Sequence, residues 1–139
     1  MLINLTKKIN TILSKFFEDI PVISSEITDN ITPCFKTDII DYSMKLRTNN
    51  VVEYKISFNI NYYPKLPISK KIMLGIQERL LNVFVFDIDY YKVEDVEVVD
   101  HNDFITCNVD YTVIKVMSEK SRGMEDIEYE EIDNIEIKR

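Results

Sequence analysis

Apolar and polar side chains alternate without interruption between Val52 and Tyr62. Every second residue is apolar or aromatic, and the residues between them are Glu, Lys, Ser and Asn. A period of two predicts a β-strand that has one face toward a core and one polar face. After Glu53, the polar face of this strand carries Lys55, Ser57, Asn59 and Asn61. The apolar face needs a partner inside the fold, whereas the polar face is available to a partner outside it.

Two other segments repeat apolar residues at spacings of three and four, which predicts amphipathic helices. The apolar stripe of the first consists of Leu2, Leu5, Ile9, Ile12, Leu13 and Phe16. That of the second consists of Ile72, Met73, Ile76, Leu80, Val83 and Phe84. We expect Ser69 to be the N-cap of the second helix. Gly75 lies inside this helix at a cost of about 1 kcal/mol relative to Ala, which a close crossing of another backbone would explain.

A long strand is predicted over residues 34–46, before the alternating strand. Its alternation slips at Ile39 and Ile40, which indicates a β-bulge. The connection between the two strands contains Asn49 and Asn50, and Asn tolerates the positive φ that a tight hairpin requires. The two strands should therefore pair in antiparallel fashion.

The remaining strands are a short one over residues 21–27 and a second hairpin of residues 92–99 and 104–117. Two hairpins interleaved with two helices predict an α+β fold. We expect an antiparallel or mixed sheet of four to five strands, with both amphipathic helices packed on one face. The last strand would add four polar residues to the opposite face: Thr106, Asn108, Asp110 and Thr112.

The C-terminal arm, residues 118–139, differs from the α+β domain that we assign to residues 1–117. It holds eight acidic and four basic residues, so its net charge is −4 out of −7 for the chain. Its large apolar residues are Met124, Ile127, Tyr129, Ile132, Ile135 and Ile137. A disordered terminus and an arm that becomes ordered against another subunit or partner both fit this pattern.

The composition fits one soluble domain, because 139 residues can bury a core and 45% of them are hydrophobic. A net charge of −7 argues against broad binding to nucleic-acid phosphates and to anionic membranes. No apolar run approaches the roughly 18 residues of a membrane span. Lysines interrupt the apolar residues near the N-terminus, which is typical of a helix rather than of a signal peptide.

Catalytic, cofactor and metal motifs are absent from the sequence. With only two glycines there is no Gly-rich phosphate loop, and the metal patterns HExxH and the EF-hand loop are missing. The single histidine, His101, lies among acids in a predicted turn, and the pair Asp87 and Asp89 has no further catalytic signature. Cys34 and Cys107 form no CxxC; buried free thiols are the favoured interpretation, and a disulfide stays open. We therefore expect a protein that is not an enzyme and has no cofactor.

Short motifs in a fixed order resemble a known family. They are Thr32-Pro33-Cys34-Phe35 at a strand start, the strand from Tyr54 to Pro64, Glu78-Arg79-Leu80 in a helix, Asp103-Phe104-Ile105 before the last strand, and Met124-Glu125-Asp126-Ile127. Together they make the sequence similar to the tail terminators of long-tailed phages and phage-derived contractile particles, in the version found in Firmicutes prophages.

This resemblance implies a ring, usually a hexamer, on the head-proximal end of the tail tube. The ring would stop polymerisation of the tube and meet the sheath and the neck or collar, with DNA only as passing cargo. Assembly would occur in the bacterial cytoplasm, and the product would be part of the virion. Two sets of residues are the expected interface: Lys55, Ser57, Asn59 and Asn61 on the sheet, and Met124, Ile127, Tyr129 and Ile132 in the C-terminal arm.

Other functions stay open from the sequence. Another neck or head–tail completion protein would share the oligomeric character and differ in its partner. A non-phage adaptor domain would remain a monomer and would not cap tubes. An enzyme would lose activity on substitution of His101 or of the pair Asp87 and Asp89.

Overall fold

The structure is a computed structural model, and it describes residues 1–23 and 31–119. In chain order the elements are α1 (Leu2–Phe16), β1 (Val22–Ile23), β2 (Cys34–Thr48), β3 (Val51–Tyr63), α2 (Lys70–Phe84), β4 (Lys92–Asp100) and β5 (Ile105–Val116). The strands form one five-stranded sheet in the order β1-β2-β3-β5-β4. β1 is parallel to β2, and the other pairs are antiparallel. The predicted α+β fold with a mixed sheet is confirmed.

One hydrophobic core joins the helices to the sheet. The helices contribute Leu5, Ile9 and Leu13 from α1 and Met73, Ile76, Leu80 and Phe84 from α2. The central strands contribute Tyr54, Ile56, Phe58, Ile60 and Tyr62 from β3 and Ile105, Cys107, Val109, Tyr111 and Val113 from β5. These are alternate residues of both strands, so the face of β3 that the sequence predicted to be apolar is the buried one.

The β2–β3 hairpin follows the local signals in the sequence. The register of β2 against β3 shifts between Ile39 and Asp41, which confirms the predicted bulge. Asn49 and Asn50 both have positive φ, 21° and 67°. The predicted short strand over residues 21–27 is observed only as Val22–Ile23, because residues 24–30 lie outside the described part of the chain.

Helix α2 begins as predicted but differs at its glycine. The Ser69 hydroxyl accepts a hydrogen bond from the Ile72 amide at 3.2 Å, which confirms the N-cap. A Cβ atom at Gly75 would meet no atom of residues 1–23 and 31–119 within 4 Å. The interpretation that Gly75 permits a close backbone crossing is therefore wrong for the part of the chain that the structure describes, because none of it packs against this position.

Candidate interface on the polar face of the sheet

The strand register gathers the predicted polar residues on one surface. Lys55, Ser57, Asn59 and Asn61 of β3 lie directly opposite Thr112, Asp110, Asn108 and Thr106 of β5. We call these eight residues the polar face. Paired residues in an antiparallel sheet share a face, and the even-numbered residues of β3 occupy the core side. The polar face therefore lies on the side of the sheet that is turned away from the core.

Hydrogen bonds connect residues along the polar face. The Thr106 hydroxyl donates to the Asn61 side-chain oxygen at 2.9 Å and lies 3.1 Å from His101 Nε2. A threonine hydroxyl carries one hydrogen, so the bond from His101 requires Nε2 to be the donor. The Asn59 amide nitrogen also points to the Asn61 oxygen, at a long distance of 3.4 Å.

His101 is exposed, as expected for a turn residue, but it is ordered by its neighbours. Its ring stacks on Phe104 with centroids 4.5 Å apart, and Phe104 stacks on Tyr63 at 5.5 Å. The tight turn is closed by a hydrogen bond from the His101 amide to the Phe104 carbonyl at 2.8 Å. The sequence placed His101 in a turn but gave no signal for this aromatic stack, because Tyr63 is brought in by another strand.

Two amide oxygens at the centre of the polar face are buried without a partner. Asn59 and Asn108 face each other across the ladder, and the side-chain oxygen of each has no hydrogen-bond partner among the described residues. A buried acceptor that is left unpaired costs about 1–3 kcal/mol. Such oxygens are normally satisfied by protein or solvent donors, so the two amides are the least satisfied part of the polar face.

A depression of about 410 Å³ lies at one end of the polar face. Its lining includes four carboxylates, one from each of four strands: Asp41, Glu53, Glu94 and Asp110. Lys55 is the one basic residue in the lining. The depression is therefore acidic and disfavours a phosphate group or another anion.

Asp87 and Asp89, the acidic pair considered in the sequence, each contact a different part of the fold. Asp87 accepts a hydrogen bond from the Val93 amide at 2.9 Å, which lowers the pKa of its carboxyl group, and it pairs with Lys92 at 3.4 Å. Asp89 pairs instead with Lys8 of α1. In residues 1–23 and 31–119, no group of three or more potential ligands is placed to hold a metal ion.

Both cysteines are buried free thiols, and burial raises the pKa of Cys107 to about 12. Such a thiol is inert as a nucleophile. Within the described part of the chain, no helix is long and apolar enough to cross a membrane. The predicted interface residues of the C-terminal arm, Met124, Ile127, Tyr129 and Ile132, lie outside the described residues, and their role stays a prediction.

The fold and its polar face define a small α+β module with a mixed sheet, one side of which presents a polar surface. The sequence matches the family described as phage tail terminator protein over residues 4–124. The chain therefore belongs to the phage tail terminator family, a structural family that acts in tail assembly. No curated protein matches the sequence.

Proposed function

We propose that this protein forms a ring on the head-proximal end of a phage or phage-like tail tube. The ring ends polymerisation of the tube, and of the sheath where one exists, and joins the tail to the neck or collar. The observation that carries this proposal is the family match over residues 4–124. Six copies are the expected number, with the tail tube protein as the first partner.

The polar face is proposed to lie at an intersubunit or lumen surface of this ring. In a head-to-tail ring each subunit uses two different surface patches, and the polar face is a candidate for one of them. The partly exposed, uncharged side chains of Ser57, Asn59 and Asn61 support a contact made through hydrogen bonds. A polar contact of this kind also avoids the aggregation that a long exposed apolar strand would cause.

The acidic depression lies at one end of the polar face, and its charge favours a position of that end on the lumen of the ring. DNA carries one negative charge per about 1.7 Å of duplex, so a wall with excess carboxylates would not retain it. Asp41, Glu53, Glu94 and Asp110 supply such an excess against the single Lys55. DNA would then pass the ring as cargo without binding.

The proposal is tested by mixing the purified protein with its own tail tube protein. Electron micrographs and mass measurement should show six-fold rings at one end of tubes, and the tubes should stop growing once they are capped. Tubes that grow to the same length with and without the protein would overturn the capping function.

A second experiment tests the polar face separately. Replacing Asn59 and Asn108 by Leu keeps the side-chain size but removes the acceptors, so ring formation should fall about tenfold or more, as for the loss of roughly 1.4 kcal/mol. Glu78→Ala on the exposed side of α2 is the matched control and should form rings normally. If the double variant stays folded and forms rings like the control, the face has no role in assembly, whereas the capping function would still stand.

A further inference from the structure

The two helices are the basic part of an acidic chain. α1 holds three lysines and no acidic residue, and α2 holds three basic residues and one acidic residue. The helices therefore carry a net charge of +5 in a chain whose net charge is −7. Lys8 of α1 pairs with Asp89. Lys7 and Lys15 are exposed and take part in none of the ion pairs that the described residues form, so α1 presents two positive charges to a partner.

An apolar groove lies at the C-terminal end of the same helix. Its volume is about 410 Å³, and its lining includes Phe16, which is 48% exposed, and Phe86, which is 69% exposed. Arg79 holds the wall of the groove in place, because its guanidinium donates to the Phe16 carbonyl at 2.5 Å. We call this groove, together with Lys7 and Lys15, the helix surface.

The β4 border of the polar face carries the opposite charge. Asp95, Glu97 and Val99 lie directly opposite members of the polar face on β5, so they are on the side of the sheet that is turned away from the core. All three side chains are exposed. We call these three residues the strand surface. Because both helices pack into the core, the helix surface and the strand surface are separate patches of the subunit.

The two surfaces match in order and in length. Along each of them, two charged residues are followed by an apolar site. The nine steps from Lys7 to Phe16 cover about 13 Å of helix. The four steps from Asp95 to Val99 cover about 13 Å of strand. Alignment of the strand along the helix therefore brings both carboxylates to the lysines and Val99 to the groove.

We propose that the helix surface of one subunit binds the strand surface of the next copy in the ring. The inference rests on the proposed ring function, and it names the two patches that a head-to-tail arrangement requires. Exposed ion pairs contribute only about 0–1 kcal/mol each, so the groove provides most of the affinity and the charges select the orientation. The contact follows the β4 border of the polar face, so the acidic depression can still line the lumen.

Two charge-reversal variants test the contact. The helix variant is Lys7→Glu with Lys15→Glu, and the strand variant is Asp95→Lys with Glu97→Lys. Either variant alone sets like charges against each other, so ring formation on tubes and self-association of the free chain should fall about tenfold or more. An equimolar mixture should restore both, because the two variants can alternate around a six-membered ring and each contact then joins opposite charges.

A matched control makes the same change in net charge as the helix variant at exposed positions outside both surfaces. This control, Arg47→Glu with Lys65→Glu, should associate like the wild type. Sedimentation measures self-association, and electron microscopy counts rings on tubes. If the helix and strand variants match the wild type in both measurements, the contact is overturned. A loss that the mixture does not restore would assign the helix surface to another partner, such as the C-terminal arm, and would also overturn it.

The capping function is judged separately, by whether the wild type stops tube growth. If it does not, sedimentation of the free chains still decides on the contact. A disulfide between copies then locates it. A chain with Lys15→Cys and an isotope-labelled chain with Glu97→Cys should form a mixed dimer on oxidation, and the native Cys34 and Cys107 are buried and do not compete. Dimers formed only between like chains would contradict the proposed pairing.

Discussion

Ser57 and Asp110 face each other across β3 and β5, and the Ser57 hydroxyl donates to an Asp110 carboxylate oxygen at 2.5 Å. Both residues line the acidic depression of the polar face. Apolar packing joins these strands on the core side, whereas this side-chain bond joins them on the polar side. The polar face is therefore an ordered part of the sheet as well as a surface for a partner.

Substitution of Ser57 should weaken the fold measurably. Ser57→Ala removes a hydrogen bond to a charged acceptor, and we expect a loss of about 1–2 kcal/mol in the free energy of unfolding. Urea denaturation measures this loss. Ser43→Ala is the control, because Ser43 lines the same depression but is exposed. Equal stabilities of the two variants would show that the bond to Asp110 contributes nothing net.

Two buried tyrosines should respond in opposite directions to loss of their hydroxyl groups. The Met1 carbonyl accepts the Tyr91 hydroxyl at 2.7 Å and the Leu5 amide at 3.1 Å. Tyr91→Phe removes the first of these hydrogen bonds and should cost about 0.5–1.5 kcal/mol. The Tyr111 hydroxyl is buried and has no hydrogen-bond partner in residues 1–23 and 31–119. Tyr111→Phe should therefore be neutral or stabilising. Thermal and urea unfolding of both variants checks the contrast, and a large loss for Tyr111→Phe would contradict it.

The side chain of Lys115 should contribute through aromatic contacts. Its ammonium nitrogen lies 5.6 Å from the ring centroid of Tyr54 and 5.5 Å from that of Tyr90, and the residue is 8% exposed. Lys115→Met keeps the apolar stem but removes the charge, with an expected loss of about 0.5–2 kcal/mol. A double-mutant cycle with Tyr90→Leu isolates the cation–π part. As a control, Lys71→Met on the surface of α2 should leave the free energy of unfolding unchanged. If the cycle of Lys115→Met and Tyr90→Leu shows no coupling energy, the contact between Lys115 and Tyr90 does not contribute to stability.

Cys107 should make stability fall in alkaline solution. Burial raises the pKa of its thiol from 9.0 to about 12, so the folded state holds the proton more tightly than the unfolded state. The resulting stability is present below about pH 9 and is lost as the pH rises toward about 12. Cys107→Ala should therefore reduce the slope of stability against pH above pH 9 by up to about 1.4 kcal/mol per pH unit. Urea titrations from pH 7 to 10.5 measure both slopes, and identical slopes would contradict a buried neutral thiol.

The glycine of α2 offers a stabilising substitution. Since a Cβ atom at Gly75 meets no described residue within 4 Å, Gly75→Ala should gain helix propensity without a clash, by up to about 1 kcal/mol. Thermal unfolding should show a higher Tm. A lower Tm would contradict the open space around this position in the folded chain.

Much of the fold was predictable because its signals are local. The alternation of β3, the slip at Ile39, the hairpin asparagines and the Ser69 cap each depend on residues within a few positions of one another. The eight residues of the polar face were likewise identified from the alternation of two strands. Gly75 was misinterpreted because the space around a helix position depends on packing, which periodicity does not report.

The sequence by itself determined which residues of each strand turn toward the core, because side chains alternate along any extended backbone. It also determined the acidic character of the chain and its family. Only the tertiary structure decided that Asn59 lies opposite Asn108 and that Tyr91 reaches the Met1 carbonyl. Such contacts join distant segments, and they depend on the strand order and register that the packing of the whole core selects.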